Sequence, residues 1–149
     1  MKTNNYRIHE ISAEETFQVR QPVLRPNRPL DTCKFDGDLL NTTFHFGLYL
    51  NEELLGVCSF FNNTYSGISS KNQYQLRGMA VLKTFQGQGL GKLILQYGEN
   101  FMKEKGADTI WCNARQLAVP FYKKNNYAII SEPFNIEHIG LHYVMSKSL

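Results

Sequence analysis

Apolar and polar residues alternate along "YRIHEIS" at positions 6–12, and the alternation stops at a serine followed by Ala13-Glu14-Glu15. Period-two alternation predicts a half-buried strand, and Ser12 with an acid at the third helical position is a capping-box arrangement that predicts a helix starting there. That helix should cover residue 14 to about residue 25, with Pro22 ending or kinking it. "TFHFGLYL" (43–50), the turn "NEE" and "LLGVCSFFNN" (54–63) read as a hairpin. "YQLRGMAVL" (74–82) is another strand, and its internal Gly78 marks a bulge or a close backbone approach. Leu90, Leu93, Ile94, Tyr97 and Phe101 then recur at helical spacing as far as about Lys105, where Gly106 supplies a left-handed stop after basic residues that suit the negative helix end. "DTIWCNA" (108–114) predicts a strand, "LAVPFYKKN" (117–125) a short helix, and "YAIISEPF" (127–134) and "LHYVMSKS" (141–148) two further strands. Two stretches carry no period: the polar "YSGISSKN" (65–72), and residues 26–41, a connection long enough to be a functional loop or a plain surface crossing. The order predicts a mixed α/β sheet with helices on both faces.

Composition narrows this picture only a little. The chain of 149 residues fits one domain, 1–149, and its 42% hydrophobic and 19% charged content is that of an ordinary soluble protein. A net charge of +3 accommodates an anionic ligand and argues against a dedicated nucleic-acid binder. Cys33, Cys58 and Cys112 are odd in number and form no CxxC pair, which disfavours a disulfide framework or a zinc site and favours a reducing compartment. The polar N-terminus "MKTNNYRIHEIS" lacks the apolar segment of a secretory leader, and no apolar run approaches the roughly 20 residues that cross a bilayer. A cytoplasmic protein without a membrane partner is expected; a homodimer is left open.

The chemistry sits where a helix opens on glycine. "KTFQGQGLGKLIL" (83–95) places Gly87, Gly89 and Gly91 at every second residue. Inside a helix each glycine costs about 1 kcal/mol relative to alanine. At a helix start the same residues expose unpaired N–H groups at the positive end of the macrodipole, and they let the backbone curl into a nest that a phosphate can approach. Gln86 can add a side-chain amide and Lys92 a charge. A Walker loop does not fit, because Gln86 stands at its first glycine and Leu93 at its Ser/Thr; the dinucleotide fingerprint does not fit either, in spacing or in position along the chain.

The run Gln86-Gly87-Gln88-Gly89-Leu90-Gly91 matches Q/R-x-x-G-x-G/A after a strand. It resembles the coenzyme A pyrophosphate loop of the GNAT superfamily of N-acetyltransferases. The preceding "LRGMAVLKTFQGQGLG" and the downstream "NARQLAVPFYKKNNYAI" (113–129) resemble that family in register with the loop. One departure is Asn126-Tyr127 where Gly-Phe is usual, and asparagine tolerates the left-handed conformation.

The resemblance implies a GNAT-like, mostly antiparallel sheet and a transfer of acetyl from acetyl-CoA to an amine by direct attack in a ternary complex. It implies that the strand at 74–82 splays from the one at 109–114, with Gly78 as the bulge. Met79, Ala80 and Val81 would then meet the pantetheine arm, and a backbone N–H there would polarise the thioester carbonyl. Gln86, Gly87, Gln88, Gly89, Leu90, Gly91 and Lys92 would bind the diphosphate, with Asn113, Phe121 and Tyr122 also at the cofactor. Tyr122 matches the family's general acid for the departing thiolate; its plain alternative is to pack the short helix on the sheet. Lys123 or Lys124 meets phosphate or is simply solvated. Candidate bases for the attacking amine are Glu132, Glu137, His138, His142 and His45, or a water relay. Cys112 has no paired histidine in sequence and reads as packing.

The acceptor, a small-molecule or peptide amine, stays open, as does a preference for acyl chains longer than acetyl. Arg20, Arg25, Arg28 and Lys34 favour an acceptor with a carboxylate or phosphate, or form a solvated face. A non-catalytic acyl-CoA-binding or sensing module is the competing reading. An RNA-binding sheet is disfavoured by the low charge and by the absence of an RNP-like aromatic motif.

Overall fold

The computed structural model describes residues 5–149; the first four residues of the polar N-terminal segment lie outside it. The chain runs β1 (Tyr6–Ile11), α1 (Ala13–Leu24), β2 (Phe44–Leu50), β3 (Glu53–Phe61), β4 (Gln73–Val81), α2 (Leu90–Glu104), β5 (Thr109–Arg115), α3 (Val119–Lys124), β6 (Ala128–Ile129), β7 (Phe134–Ile136) and β8 (Gly140–Ser148). The strands form one eight-stranded sheet in the order β1-β2-β3-β4-β5-β8-β6, and β7 also pairs with β8. All neighbours are antiparallel except β4 and β5.

Local chemistry fixes the helix ends as the spacing predicts. Ser12 accepts the Glu15 N–H while the Glu15 carboxylate accepts the Ser12 N–H, so the capping box is complete. Pro22 is carried inside the last turn of α1, which ends two residues later at Leu24. Gly106 (φ 99°) and Asn126 (φ 72°) supply the left-handed turns after α2 and α3.

The two sheet faces bury separate cores. Val19 of α1 packs with Ile11, Leu54, Val57 and Ala80. On the other face Ile94, Leu95 and Met102 of α2 and Tyr122 of α3 pack on Phe46, Phe60, Leu76 and Ile110. Gly98 lets α2 close on the sheet, since a Cβ there would come within 2.3 Å of the Phe60 ring. Buried Glu99 is satisfied by the Tyr127 hydroxyl at 2.7 Å and the Lys147 ammonium at 2.8 Å, which ties α2 to the chain's last strands.

The structure corrects one strand. The stretch "YAIISEPF" is not continuous: β6 ends at Ile129 and β7 begins at Phe134. Pro133 has no N–H to give a ladder, and the Ser131 hydroxyl takes the Val144 N–H in place of a backbone carbonyl. Short 3-10 turns, absent from the periodicity, occupy Leu30–Cys33, Lys83–Phe85 and Gln116–Ala118.

Candidate active site

The site begins with a strand that carries one residue too many. Val57 pairs with Ala80 and Ser59 with Arg77, so Cys58 alone faces both Gly78 and Met79. This is a β-bulge on β4, and Gly78 takes φ 67° there, a conformation that suits glycine. β4 and β5 pair only through Gln73–Thr109, Tyr74–Ile110 and Gln75–Trp111. Beyond those rungs the strands part; one cavity occupies the opening, and a larger one adjoins it at the end of β4.

The larger cavity, about 660 Å³, is lined by Met79, Ala80, Val81, Gln86, Gly87, Gly89, Leu90, Gly91, Lys92 and Phe121 among others. Gly87 and Gly89 both adopt φ 80°, and Gly89 is the N-cap of α2. No side chain caps that helix, so its first-turn N–H groups keep the positive end of the macrodipole open. A Cβ at Gly87 or Gly89 would meet nothing within 4 Å. These glycines answer to backbone conformation and leave open room outside the nest. Gly91 is different: a Cβ would come within 3.1 Å of Phe121, so it serves the close approach of α3.

Two residues of the loop depart from expectation. The Gln86 amide donates to the Val81 carbonyl at 2.8 Å and braces the loop against the end of β4. Gln88 is exposed and does not line the cavity. Lys124 and Asn125 do line it, and Lys123 does not. Asn125 was not foreseen; the only sequence signal for it is the Asn-Asn pair that closes α3.

The smaller cavity, about 270 Å³, shares Met79 and Ala118 with the larger one. Asn113 and Tyr122 line this cavity, in the opening between β4 and β5, and not the larger one. Tyr122 is 7% exposed, wedged edge-on between Phe121 and Tyr127. Burial pushes its hydroxyl well above the usual tyrosine value, with the Arg115 guanidinium pulling the other way. The phenol therefore keeps its proton at neutral pH.

Of the five candidate bases, only His142 lines either cavity. It is 3% exposed and lies across the β5–β8 ladder from Arg115. Its Nδ1 is 2.7 Å from the Gly140 carbonyl, which can only accept, so Nδ1 carries a proton and, in the neutral ring, Nε2 the lone pair. Glu132, Glu137 and His138 are exposed, and Glu137 and His138 pair with each other at 3.6 Å.

His45 is taken up elsewhere. Arg20, fully buried, donates from Nη1 to the Cys33 carbonyl (2.9 Å) and to Asp38 Oδ2 (2.8 Å). From Nη2 it donates to Asp38 Oδ1 (3.2 Å) and Ser59 Oγ (3.0 Å). The Ser59 hydroxyl donates to His45 Nδ1 (2.6 Å), and His45 Nε2–H donates to the Asp38 carbonyl (2.8 Å). Both ring nitrogens are used, and burial holds the His45 pKa below its ordinary value. Arg20 and His45 thus join α1, the long loop, β2 and β3; they are not laid open to an acceptor. Arg28 and Lys34 are exposed away from both cavities. Sequence reading missed Arg77 and Arg115, which line the smaller cavity with Arg25. The alternation of Asn113 and Arg115 along β5 was the signal available for one of them.

The thiols play no part in this arrangement. Cys33, Cys58 and Cys112 are all free and buried, and burial raises each pKa, that of Cys112 to about 12. Among the described residues no cluster could hold a metal ion, and no helix is long and apolar enough to cross a membrane.

Residues 5–127 match the acetyltransferase (GNAT) family. The chain belongs to that family. Among curated relatives, the uncharacterized N-acetyltransferase YitI of Bacillus subtilis (strain 168) is 33% identical over 142 residues, 95% of each chain. A second from the same organism, the uncharacterized N-acetyltransferase YjcF, is 28% identical over 125 residues, covering 83% of this chain and 84% of the relative. Solved structures share the GNAT fold at low identity. An aminoglycoside 6'-N-acetyltransferase complexed with coenzyme A superimposes with a TM-score of 0.77 at 13% identity, over 95% of this chain and 96% of the other. A GNAT family acetyltransferase from Elizabethkingia anophelis with acetyl-CoA bound gives 0.71 at 16% identity, over 99% and 100%.

Proposed function

We propose that this GNAT protein is an acetyl-CoA-dependent N-acetyltransferase that moves acetyl to an amine by direct attack in a ternary complex. The observation that carries the reading is the junction of two cavities at Met79 and Ala118, one floored by an uncapped glycine-rich helix start, the other holding Tyr122 and His142. The residues fit the cosubstrate. The N–H groups around Gly87, Gly89 and Gly91, with Lys92 and Lys124 at the rim, suit a diphosphate. The unpaired flank of β4 at residues 76–81 suits an amide-bearing arm added as an extra strand.

Acetyl-CoA supplies an activated acyl group and a thiol leaving group. The backbone N–H groups beside the bulge at Gly78 and Met79 would stabilise negative charge developing on the acyl oxygen, worth about 3 kcal/mol for one well-placed donor. His142 Nε2, the only candidate base lining either cavity, takes the proton of the amine. Tyr122, kept protonated by burial, gives its proton to the thiolate.

A melting shift with acetyl-CoA and thiol release with an amine panel test the reading. At a hundredfold excess over its Kd, a ligand of the native state adds about 2.7 kcal/mol. Tyr122→Phe should keep that shift and lose turnover about a hundredfold or more, the usual weight of a general acid. Binding without thiol release from any amine would leave an acyl-CoA sensor; no binding would end both readings.

A further inference from the structure

The smaller cavity is charged in one sense only. Arg25, Arg77 and Arg115 line it beside His142, and no aspartate or glutamate does. The fourth arginine of the region, Arg20, is neutralised by Asp38 behind the wall. None of Arg25, Arg77 and Arg115 makes an ion pair with a described residue. Phe35 gathers two of them with Arg20: the guanidinium carbons of Arg20, Arg77 and Arg25 lie 4.0, 4.6 and 5.9 Å from the centre of its ring. The like charges act on one another. Burial, Arg20 and Arg25 all disfavour the charged form of Arg77, against Asp38 and the exposed Asp36; burial and Arg25 do the same to Arg115.

A further donor is unsatisfied. Arg20 Nε lies behind Gly78, which lines the cavity, and is buried with no hydrogen-bond partner; a Cβ at Gly78 would come within 3.1 Å of it. Converging guanidinium groups that repel one another without an internal counter-ion are relieved by a ligand oxyanion. The planar fork of arginine matches carboxylate and phosphate in paired hydrogen bonds. The cavity, about 270 Å³, falls just below the roughly 300–1,000 Å³ of pockets that take drug-sized ligands, so the occupant is small.

We infer that the acceptor is a small primary amine that also carries an oxyanion, carboxylate or phosphate, held by Arg25, Arg77 and Arg115 with its amine turned toward His142. The inference rests on the acetyltransferase reading and names the substrate class of the same site. It makes Arg77 and Arg115 specificity-determining residues. It also accounts for the lack of a carboxylate base in the cavity, where a second anion would compete with the acceptor for the same arginines.

The test compares common amino acids with their carboxamides, and phosphoethanolamine with ethanolamine. Thiol release from acetyl-CoA is measured for each, with calorimetric binding in the presence of coenzyme A. An anionic probe should show a KM lower than its neutral partner by about tenfold or more, the scale of hydrogen bonds to a charged group. The arm that shows the preference identifies carboxylate or phosphate. Arg77→Gln should erase the ratio with acetyl-CoA binding unchanged, and Arg77→Lys should restore part of it. Arg115→Gln, at an exposed position, reads the same effect if Arg77→Gln fails to fold. Neutral amines used as well as their anionic partners, or a ratio that survives both glutamine variants, would overturn the inference and leave the acetyltransferase standing. A chain with no acetyl-CoA melting shift would overturn both.

Discussion

Alanine and asparagine at Gly89 separate what the glycine does for the fold from what it does for the ligand. Gly89 is the N-cap of α2 at φ 80°, ψ 10°, and a Cβ there would touch nothing within 4 Å. Steric clash therefore adds nothing, and the whole cost of Gly89→Ala is that of holding an L-residue left-handed, about 1–2 kcal/mol. For a chain of 149 residues this lowers Tm by about 2–8 °C. Gly89→Asn should cost less, because asparagine adopts this conformation more readily, as Asn126 does here at φ 72°. Binding should follow a different order. Either side chain enters the open space at the cavity wall that the diphosphate would fill, and loss of one phosphate hydrogen bond is worth about 1.5–3 kcal/mol, so Kd for acetyl-CoA should rise about tenfold to a hundredfold in both variants. Scanning calorimetry of the free protein and titration with acetyl-CoA read the two effects separately. If alanine and asparagine lower Tm equally, or if either binds as tightly as glycine, the assignment of these glycines to a backbone cradle for the diphosphate is refuted.

Asp38→Asn removes the counter-charge of fully buried Arg20 and should cost about 3–5 kcal/mol, a Tm fall on the order of 10 °C; a fall of only a degree or two would mean that Arg20 is rescued by solvent. The folded protein binds no proton at His45 until the pH drops below the lowered value, whereas the unfolded chain binds one near the ordinary 6.5. Stability from this group is thus fully present above about pH 6.5 and is lost as pH falls toward the folded pKa. Tm measured across that range should fall with pH in the wild type and fall less steeply in His45→Gln; parallel curves would contradict a buried neutral imidazole. Gly98→Ala gains about 1 kcal/mol of helix propensity but drives a Cβ to 2.3 Å from the fully buried Phe60, an overpacking that costs about 1–3 kcal/mol. Net destabilisation by chemical denaturation is expected, and a stabilised variant would show that α2 can lift from the sheet freely.

Much of this protein was legible in short windows of sequence because the information there is short-range. Alternation marked the strands, Ser12 and Glu15 the start of α1, and Gly106 and Asn126 the left-handed stops, each decided within a few residues; Gly78 marked the bulge through its own backbone freedom, although its register is set against β3. The glycine spacing that suggested a phosphate nest is of the same kind, since φ at Gly87 and Gly89 is a local property. The tertiary structure decided what depends on partners far along the chain. Arg20 finds Asp38 and Ser59 at separations of 18 and 39 residues and so leaves the acceptor cluster to which sequence reading had joined it. His45 is consumed by the same network, and His142 is the only candidate base left lining a cavity. Arg25, Arg77 and Arg115 come from a helix end and two strands, and nothing in their spacing announces that one cavity brings them together, the first two against the ring of Phe35. Periodicity records which face a residue takes; only packing of the elements determines which charges share a cavity, because the Coulomb energy between them depends on distances that sequence spacing does not set.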